Sequence, residues 1–127
     1  MGDQSFDLSH ALKTSRPQAA YLHVPFCQHR CGYCNFTLIA NRDDLINKYL
    51  KAVDIELHSL DESHRVQTLF IGGGTPTYLP STQLQRLLDL ANRWFPLESG
   101  GEFSVEANPG DITESMAEIL SHAGVTR

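Results

Sequence analysis

Three cysteines lie close together, and the chain contains no others. Cys27, Cys31 and Cys34 follow the spacing C-x₃-C-x₂-C. A disulfide framework normally uses an even number of cysteines spread along a secreted chain, so this set indicates ligands of one metal centre in a reducing compartment. Three thiolates from one loop could hold a [4Fe–4S] cluster with one iron left open, whereas a Cys₃His zinc site would recruit His23 or His29. A chance cluster of core cysteines is the remaining alternative.

A run of three glycines after an apolar stretch is the second candidate site. Gly72, Gly73 and Gly74 carry no side chains, so a ligand could approach the backbone closely. The alternative is a tight turn between a strand and a helix, with Pro76 near the helix start. The run does not follow G-x-G-x-x-G, so a dinucleotide-binding fold is not indicated.

Three further side chains on predicted strands could carry chemistry. Glu106 lies near the end of an otherwise apolar strand, where it is either a carboxylate that needs a partner or a solvated charge. Tyr21, taken by itself, is interpreted as a core aromatic. His23 is interpreted as a hydrogen-bonded core histidine, with a substrate contact as the alternative.

Strands and helices that would position these residues alternate along the chain. Short apolar runs predict the strands, and apolar residues spaced three and four apart predict the helices, including a leucine-rich core face that continues to Trp94 and Phe95. The predicted elements are a strand at 19–24, a helix from Asp43 or Asp44 to about Leu60, a strand at 66–71, a helix capped by Ser81 and stopped by Pro96, a strand at about 102–107, a helix capped by Thr113 and ended by Gly124, and the start of a fourth strand at 125–127.

This alternation predicts an α/β fold with a parallel sheet, outer helices and right-handed crossovers. A complete (β/α)₈ barrel needs about 250 residues. The chain is therefore expected to be the N-terminal part of a larger barrel, with a small open sheet as the alternative. Residues 1–18 are predicted to be a polar lead-in, and residues 19–127 the incomplete barrel domain.

Composition narrows the class of protein. The 127 residues include ten Lys and Arg against fifteen Asp and Glu, a formal net charge of −5. There is no basic stripe, so no nucleic-acid partner is expected. The apolar runs are too short for a membrane span, and the first twenty residues have no secretory-signal pattern. A cytoplasmic globular domain is the expectation.

Four short sequence motifs in a fixed order resemble those of a known family. They are Tyr21-Leu-His-Val-Pro-Phe-Cys27, Cys31-Gly-Tyr-Cys34-Asn-Phe36, Gly72-Gly-Gly-Thr-Pro-Thr77 and Val105-Glu106-Ala-Asn-Pro109. The two motifs that contain the cysteines are similar to the motif of radical S-adenosylmethionine (radical SAM) proteins. Together the four motifs resemble those of the oxygen-independent coproporphyrinogen III oxidase (HemN) group. The resemblance covers the chain from about Tyr21 to Arg127 and implies the N-terminal part of a partial (β/α) TIM-type barrel.

The resemblance also implies a site. A [4Fe–4S] cluster would be held by Cys27, Cys31 and Cys34, and its open iron would bind the amino and carboxylate groups of SAM. An electron, supplied by a donor such as a flavodoxin or ferredoxin, would then cleave SAM to methionine and a 5′-deoxyadenosyl radical. The cofactor carries this chemistry and the protein positions it. The implied SAM contacts are Tyr21, Tyr33 through its backbone, Gly73, Gly74, Thr75 and Glu106.

Two departures from the oxidases indicate which branch the chain resembles. Phe36 stands where those oxidases carry a further cysteine, and only twenty residues precede Tyr21, where they have a longer arm. Both features are similar to the HemW-type heme chaperones. The resemblance therefore implies a protein that binds heme and transfers it to apo-haemoproteins. The alternative is an oxidase that converts two propionates of coproporphyrinogen III to vinyl groups. The heme or porphyrinogen site is expected to lie beyond Arg127.

Overall fold

The computed structural model describes residues 16–35 and 37–127. Its strands and helices are β1 (Ala19–Val24), β2 (Phe26–Cys27), β3 (Ile39–Ala40), α1 (Ile46–His58), β4 (Val66–Gly73), α2 (Ser81–Trp94), β5 (Leu97–Val105) and α3 (Glu114–His122). Short 3₁₀ turns at Asp43–Leu45 and Pro76–Tyr78 precede α1 and α2. Phe36 and most of the predicted lead-in, residues 1–15, lie outside the described residues.

The main sheet has three parallel strands in the order β1, β4, β5. Ala19 pairs with Thr68 at one end of the β1–β4 ladder, and Val24 pairs with Gly73 at the other. The chain crosses from β1 to β4 through α1 and from β4 to β5 through α2, as βαβ units require. The predicted parallel α/β arrangement is confirmed. A separate parallel pairing joins β2 to β3 across the loop that carries two of the cysteines.

One face of the sheet is buried beneath the helices. The buried side chains are Leu22 and Val24 of β1, Leu69 and Ile71 of β4, Phe103 of β5, Leu50 of α1, and Leu84, Leu87, Leu88 and Ala91 of α2. The predicted core face of α2 is therefore confirmed. Removing apolar surface from water stabilises this layer by roughly 25 cal/mol per Å². The packed layer fixes the strands, and with them the loops at their carboxyl ends.

The opposite face of the sheet is open. Tyr21 and Phe70 stack there with ring centroids 5.7 Å apart, and they remain 56% and 37% exposed. Tyr21 is therefore not a buried core aromatic, because successive residues of a strand point to opposite faces and Leu22 takes the inward position. His23 shares the open face and is half-buried, so it is not a core residue, but it is hydrogen-bonded as predicted, with Nε2 2.9 Å from the carbonyl oxygen of Thr37.

Strand β5 is longer at its start than predicted and ends at Val105, before Glu106. Gly100 and Gly101 form a pair that is typical of a turn. Here the pairing of β4 with β5 continues across them as a bulge. Between the pairs Val66–Leu97 and Thr68–Glu102, β4 advances two residues while β5 advances five. Pairing with β4 therefore overrides the local preference of the glycines.

The helices begin differently from the prediction. Pro80, not Ser81, occupies the N-cap position of α2, and no side chain caps that helix. Neither Asp43 nor Asp44 caps α1, because both lie in the preceding 3₁₀ turn. The Asp43 carboxylate instead accepts a hydrogen bond of 2.7 Å from the Tyr78 hydroxyl. No helix in the described part of the chain is long and apolar enough to cross a membrane.

The end of the chain follows the prediction closely. The Thr113 hydroxyl caps α3, and Gly124 after it has a φ of +86°. The Arg127 amide donates to the Phe103 carbonyl at 3.1 Å, and the Arg127 carbonyl accepts from the Val105 amide at 2.9 Å. This is the pattern of a parallel ladder. The last three residues therefore lie beside β5 as the predicted fourth strand would.

Candidate functional site

A cavity of about 630 Å³ opens where the loops leave the carboxyl ends of β1, β4 and β5. This is the edge at which parallel α/β folds place their ligands. Of the predicted site residues, six line the cavity: Cys27, Cys31, Tyr33, Cys34, Gly74 and Thr75. The structure thus brings together two loops that lie far apart in the sequence. They are the loop that carries the three cysteines, residues 27–34 (the cysteine loop), and the loop that carries the three glycines, residues 72–75 (the glycine loop).

All three cysteines of the cysteine loop line this cavity. Cys27 ends β2, and the Cys34 amide donates to the Cys31 carbonyl at 3.0 Å, which closes a tight turn. Each cysteine is partly buried and none forms a disulfide. In residues 16–35 and 37–127, no three His, Cys, Asp or Glu side chains already converge as a metal site. The cysteines therefore share the cavity without being preassembled around one point.

Tyr33 extends outward beside this turn. Its side chain is 88% exposed. A hydrogen-bonding contact with the Cys31 side chain raises the pKa of Tyr33. The ring therefore lies beside the Cys31 side chain and is not packed into the protein.

Two main-chain hydrogen bonds fasten the glycine loop to the cysteine loop. The Gly74 amide donates to the Val24 carbonyl at 2.7 Å, and the Thr75 amide donates to the Phe26 carbonyl at 2.8 Å. A Cβ at Gly74 would lie 2.5 Å from the Phe26 carbonyl oxygen. Gly73 has a φ of +119°, which side chains rarely adopt. The predicted close approach is therefore made by the protein itself, by the Phe26 backbone at Gly74 and by the His23 ring and the Val24 carbonyl oxygen at Gly73.

We expect Gly74→Ala to destabilise the fold by about 1–3 kcal/mol, because the Phe26 backbone must move to admit the new methyl group. Gly110→Ala is the matched control, since a Cβ there would meet nothing within 4 Å. Urea denaturation of the two variants measures the difference. An unchanged midpoint for Gly74→Ala would show that the two loops are not held as closely as described.

Glu106 lies immediately after β5 and has a partner. Its Oε2 accepts a hydrogen bond from the Gly73 amide at 2.9 Å. The Glu106 amide donates to the Ile71 carbonyl at 3.0 Å, which holds this residue beside the end of β4. The side chain is exposed, and within the described residues its Oε1 has no hydrogen-bond partner. The carboxylate is therefore anchored by one oxygen and open to a ligand at the other.

Tyr21 lies on the open face near Glu106. Burial, and then the negative charge of Glu106, raise the pKa of Tyr21. Its hydroxyl lies 3.1 Å from Nδ1 of His23. Tyr21, Gly73 and Glu106 thus form a second group beside the cavity, joined to the first through the consecutive residues Gly73 and Gly74.

Two polar residues of the cavity wall were not singled out by the sequence. Thr77 is only 5% exposed, and its Oγ1 is buried with no hydrogen-bond partner in the described structure. Asn108 donates through Nδ2 to Oγ1 of Thr75 at 3.3 Å. Both lie beside a proline in a loop that follows a strand, and a polar residue in that position is the signal that could have found them. A buried hydroxyl without a partner costs about 1–3 kcal/mol, so Thr77 is suited to a cavity that receives a polar ligand.

The residues of the two loops fit an iron–sulfur cluster and a ligand with hydrogen-bond donors. Three free thiols would supply the thiolate ligands of the cluster. Glu106 would supply a carboxylate for the hydrogen-bond donors of the ligand. Of the two histidines considered for a zinc site, only His29 lines the cavity, because His23 lies on the open face beside Thr37.

Comparison with known proteins gives consistent matches. The pattern of the radical SAM superfamily matches residues 21–127. The heme chaperone HemW of Lactococcus lactis is 39% identical over 112 residues, which are 88% of this chain and 29% of the relative. HemW of Bacillus subtilis is 40% identical over 114 residues, covering 87% of this chain and 30% of the relative.

A solved structure matches as well. The coproporphyrinogen III oxidase (HemN) from Escherichia coli, described as a radical SAM enzyme, superposes with a TM-score of 0.79. The identity is 32%, and the match covers 98% of this chain and 30% of that one. The chain therefore spans about three-tenths of the length of the relatives it matches.

Proposed function

The chain belongs to the radical SAM superfamily, and from this premise we propose that it provides the cluster and SAM site of a heme chaperone. Membership implies a [4Fe–4S] cluster and SAM as cofactors. The α/β fold corresponds to part of the TIM-type barrel of the solved neighbour. We assign residues 19–127 to this barrel domain, and the cytoplasm as its compartment.

The observation that supports the cluster is the shared cavity. Cys27, Cys31 and Cys34 are the only cysteines in the chain, and all three line it. Metal binding couples to folding of a loop, so three thiols on one short loop can close around a cluster. When bound, the cluster supplies the electron that cleaves SAM. A flavodoxin or ferredoxin is the proposed source of that electron.

The SAM contacts follow from the donors and acceptors available. The amino group of SAM donates hydrogen bonds, so Gly73 and Gly74 would receive it through their carbonyl oxygens. The Gly73 amide already donates a hydrogen bond to one carboxylate oxygen of Glu106. The second oxygen of Glu106 would accept hydrogen bonds from the nucleoside hydroxyls of SAM. Tyr21 lies beside Glu106 on the open face, and Tyr33 would present its backbone beside the adenine.

Phe36 is the observation that favours the chaperone over the oxidase. The resemblance places a further cysteine at this position in the oxidases, two residues after the third ligand, and this chain has none. Relatives of both kinds match, and the two compared above are heme chaperones. We therefore propose that heme is the cargo and an apo-haemoprotein the acceptor.

This function is tested on the full-length protein that contains this sequence. We expect it to bind heme, seen as a shifted Soret band, and to pass heme to an apo-haemoprotein. Incubation with SAM, a reductant and coproporphyrinogen III should release no carbon dioxide. SAM-dependent decarboxylation of that substrate would overturn the chaperone assignment.

The oxidase is a second candidate because a specific observation favours it. The solved coproporphyrinogen III oxidase superposes on nearly the whole chain, with 98% covered. The same assay decides between the two, since decarboxylation of two propionates yields two molecules of carbon dioxide per molecule of product. In that case the substrate would be a porphyrinogen rather than heme.

A further inference from the structure

The Thr75 side chain is buried and contacts one of the cysteines rather than solvent. It is 3% exposed, one of the few buried polar residues in the described structure. Its Oγ1 lies 3.0 Å from Sγ of Cys27, although 48 residues separate the two in sequence. The Thr75 hydroxyl is therefore committed to the cysteine loop.

The main chain holds Thr75 in this position. Its amide donates to the Phe26 carbonyl at 2.8 Å, and its carbonyl accepts from the Tyr78 amide at 3.0 Å. The first bond reaches the residue directly before Cys27. The docking of the two loops thus places the backbone of Thr75 beside the residue that precedes Cys27.

Counting protons gives the direction of the hydrogen bond. As a cluster ligand, Cys27 is a thiolate and has no proton to donate, so the Thr75 hydroxyl must be the donor. Asn108 donates through Nδ2 to the Thr75 oxygen at 3.3 Å. This contact occupies an acceptor position on the oxygen and leaves the hydroxyl proton for the sulfur.

We propose that Thr75 is a positioning residue whose hydroxyl donates to Cys27 and raises the reduction potential of the cluster. The inference rests on the proposed cluster. Reduction adds one electron and breaks no bond, so the reduced cluster carries one more negative charge than the oxidised one. A hydrogen bond to a ligand sulfur stabilises that charge, and such bonds are among the factors that set cluster potentials.

The test is a redox titration of the anaerobically reconstituted protein with dithionite, followed by electron paramagnetic resonance. Thr75→Val removes the hydroxyl at similar volume, Thr75→Ala removes it with a smaller side chain, and Thr75→Ser retains it. Val and Ala should lower the ratio of reduced to oxidised cluster about three- to tenfold at a fixed potential, because the lost hydrogen bond is stronger to the more negative sulfur of the reduced cluster. At 59 mV per tenfold for one electron, that is a shift of roughly 30–60 mV to more negative potential.

The outcomes separate this inference from the proposed function. A wild-type protein that takes up no iron overturns both. Wild-type protein with a full cluster, together with Val and Ala variants at the wild-type potential, overturns the role of Thr75 alone. A shift in Val that is absent in Ala would assign the effect to packing and also overturn it. The expected result is a shift in both variants, with Thr75→Ser close to the wild type.

Discussion

Replacing any one of Cys27, Cys31 and Cys34 by alanine is expected to abolish the brown chromophore of the reconstituted protein. Each thiolate would hold a different iron of the cluster, and the chain has no fourth cysteine that could substitute. The measurement is iron and sulfide content, with the visible spectrum, after anaerobic reconstitution of each variant. The loss should be nearly complete, which makes this the largest effect predicted for the chain.

The matched control is His29→Ala. His29 lines the same cavity and is the histidine available there for a Cys₃His zinc site. We expect His29→Ala to retain the full chromophore and iron content. A variant that loses its metal when His29 is removed, but keeps it when one cysteine is removed, would contradict the assignment of the three thiols as the ligands.

Glu106→Ala is expected to weaken SAM binding about ten- to a hundredfold while leaving the cluster absorbance intact. A hydrogen bond to a charged group contributes about 1.5–3 kcal/mol, and each tenfold in affinity corresponds to about 1.4 kcal/mol. Part of the loss would come from Gly73, whose amide donates to Glu106 Oε2 at 2.9 Å. Calorimetric titration of SAM into the reconstituted protein gives the affinity.

Glu102→Ala is the control for charge. Glu102 is an exposed carboxylate of β5, and the contacts described for it are with Ser104 and Arg127 rather than with the glycine loop. Its removal lowers the negative charge of the same region by the same amount. Equal losses of SAM affinity in the two variants would mean that Glu106 acts only through its charge, and an unchanged affinity in Glu106→Ala would refute its assignment to SAM.

The sequence predicted those parts of the fold that depend on local patterns. Apolar spacing predicted α2 and its buried face, and the Thr113 cap and Gly124 predicted the limits of α3. The start of β5 was not predicted, because a Gly-Gly pair favours a turn locally. Only pairing with β4, a neighbour far away in sequence, keeps those residues in the strand.

The candidate site shows the same division. The cysteine spacing could be read directly, since it is a local pattern within one loop. The need for a glycine at position 74 could not be read from the sequence, because the backbone that a side chain there would meet belongs to Phe26. The contact between Thr75 and Cys27 spans 48 residues and depends on the register between β1 and β4. Sequence motifs therefore singled out the candidate residues, and the structure shows what they contact.

The most direct test of the cluster and its SAM site is the metal content and spectrum of anaerobically purified protein before and after SAM is added. We expect about four irons and about four sulfides per chain. We also expect SAM to change the electron paramagnetic resonance signal of the reduced cluster, because SAM would bind the iron that no cysteine holds. Stoichiometric zinc without iron, or an iron signal that SAM leaves unaltered, would contradict the proposed site.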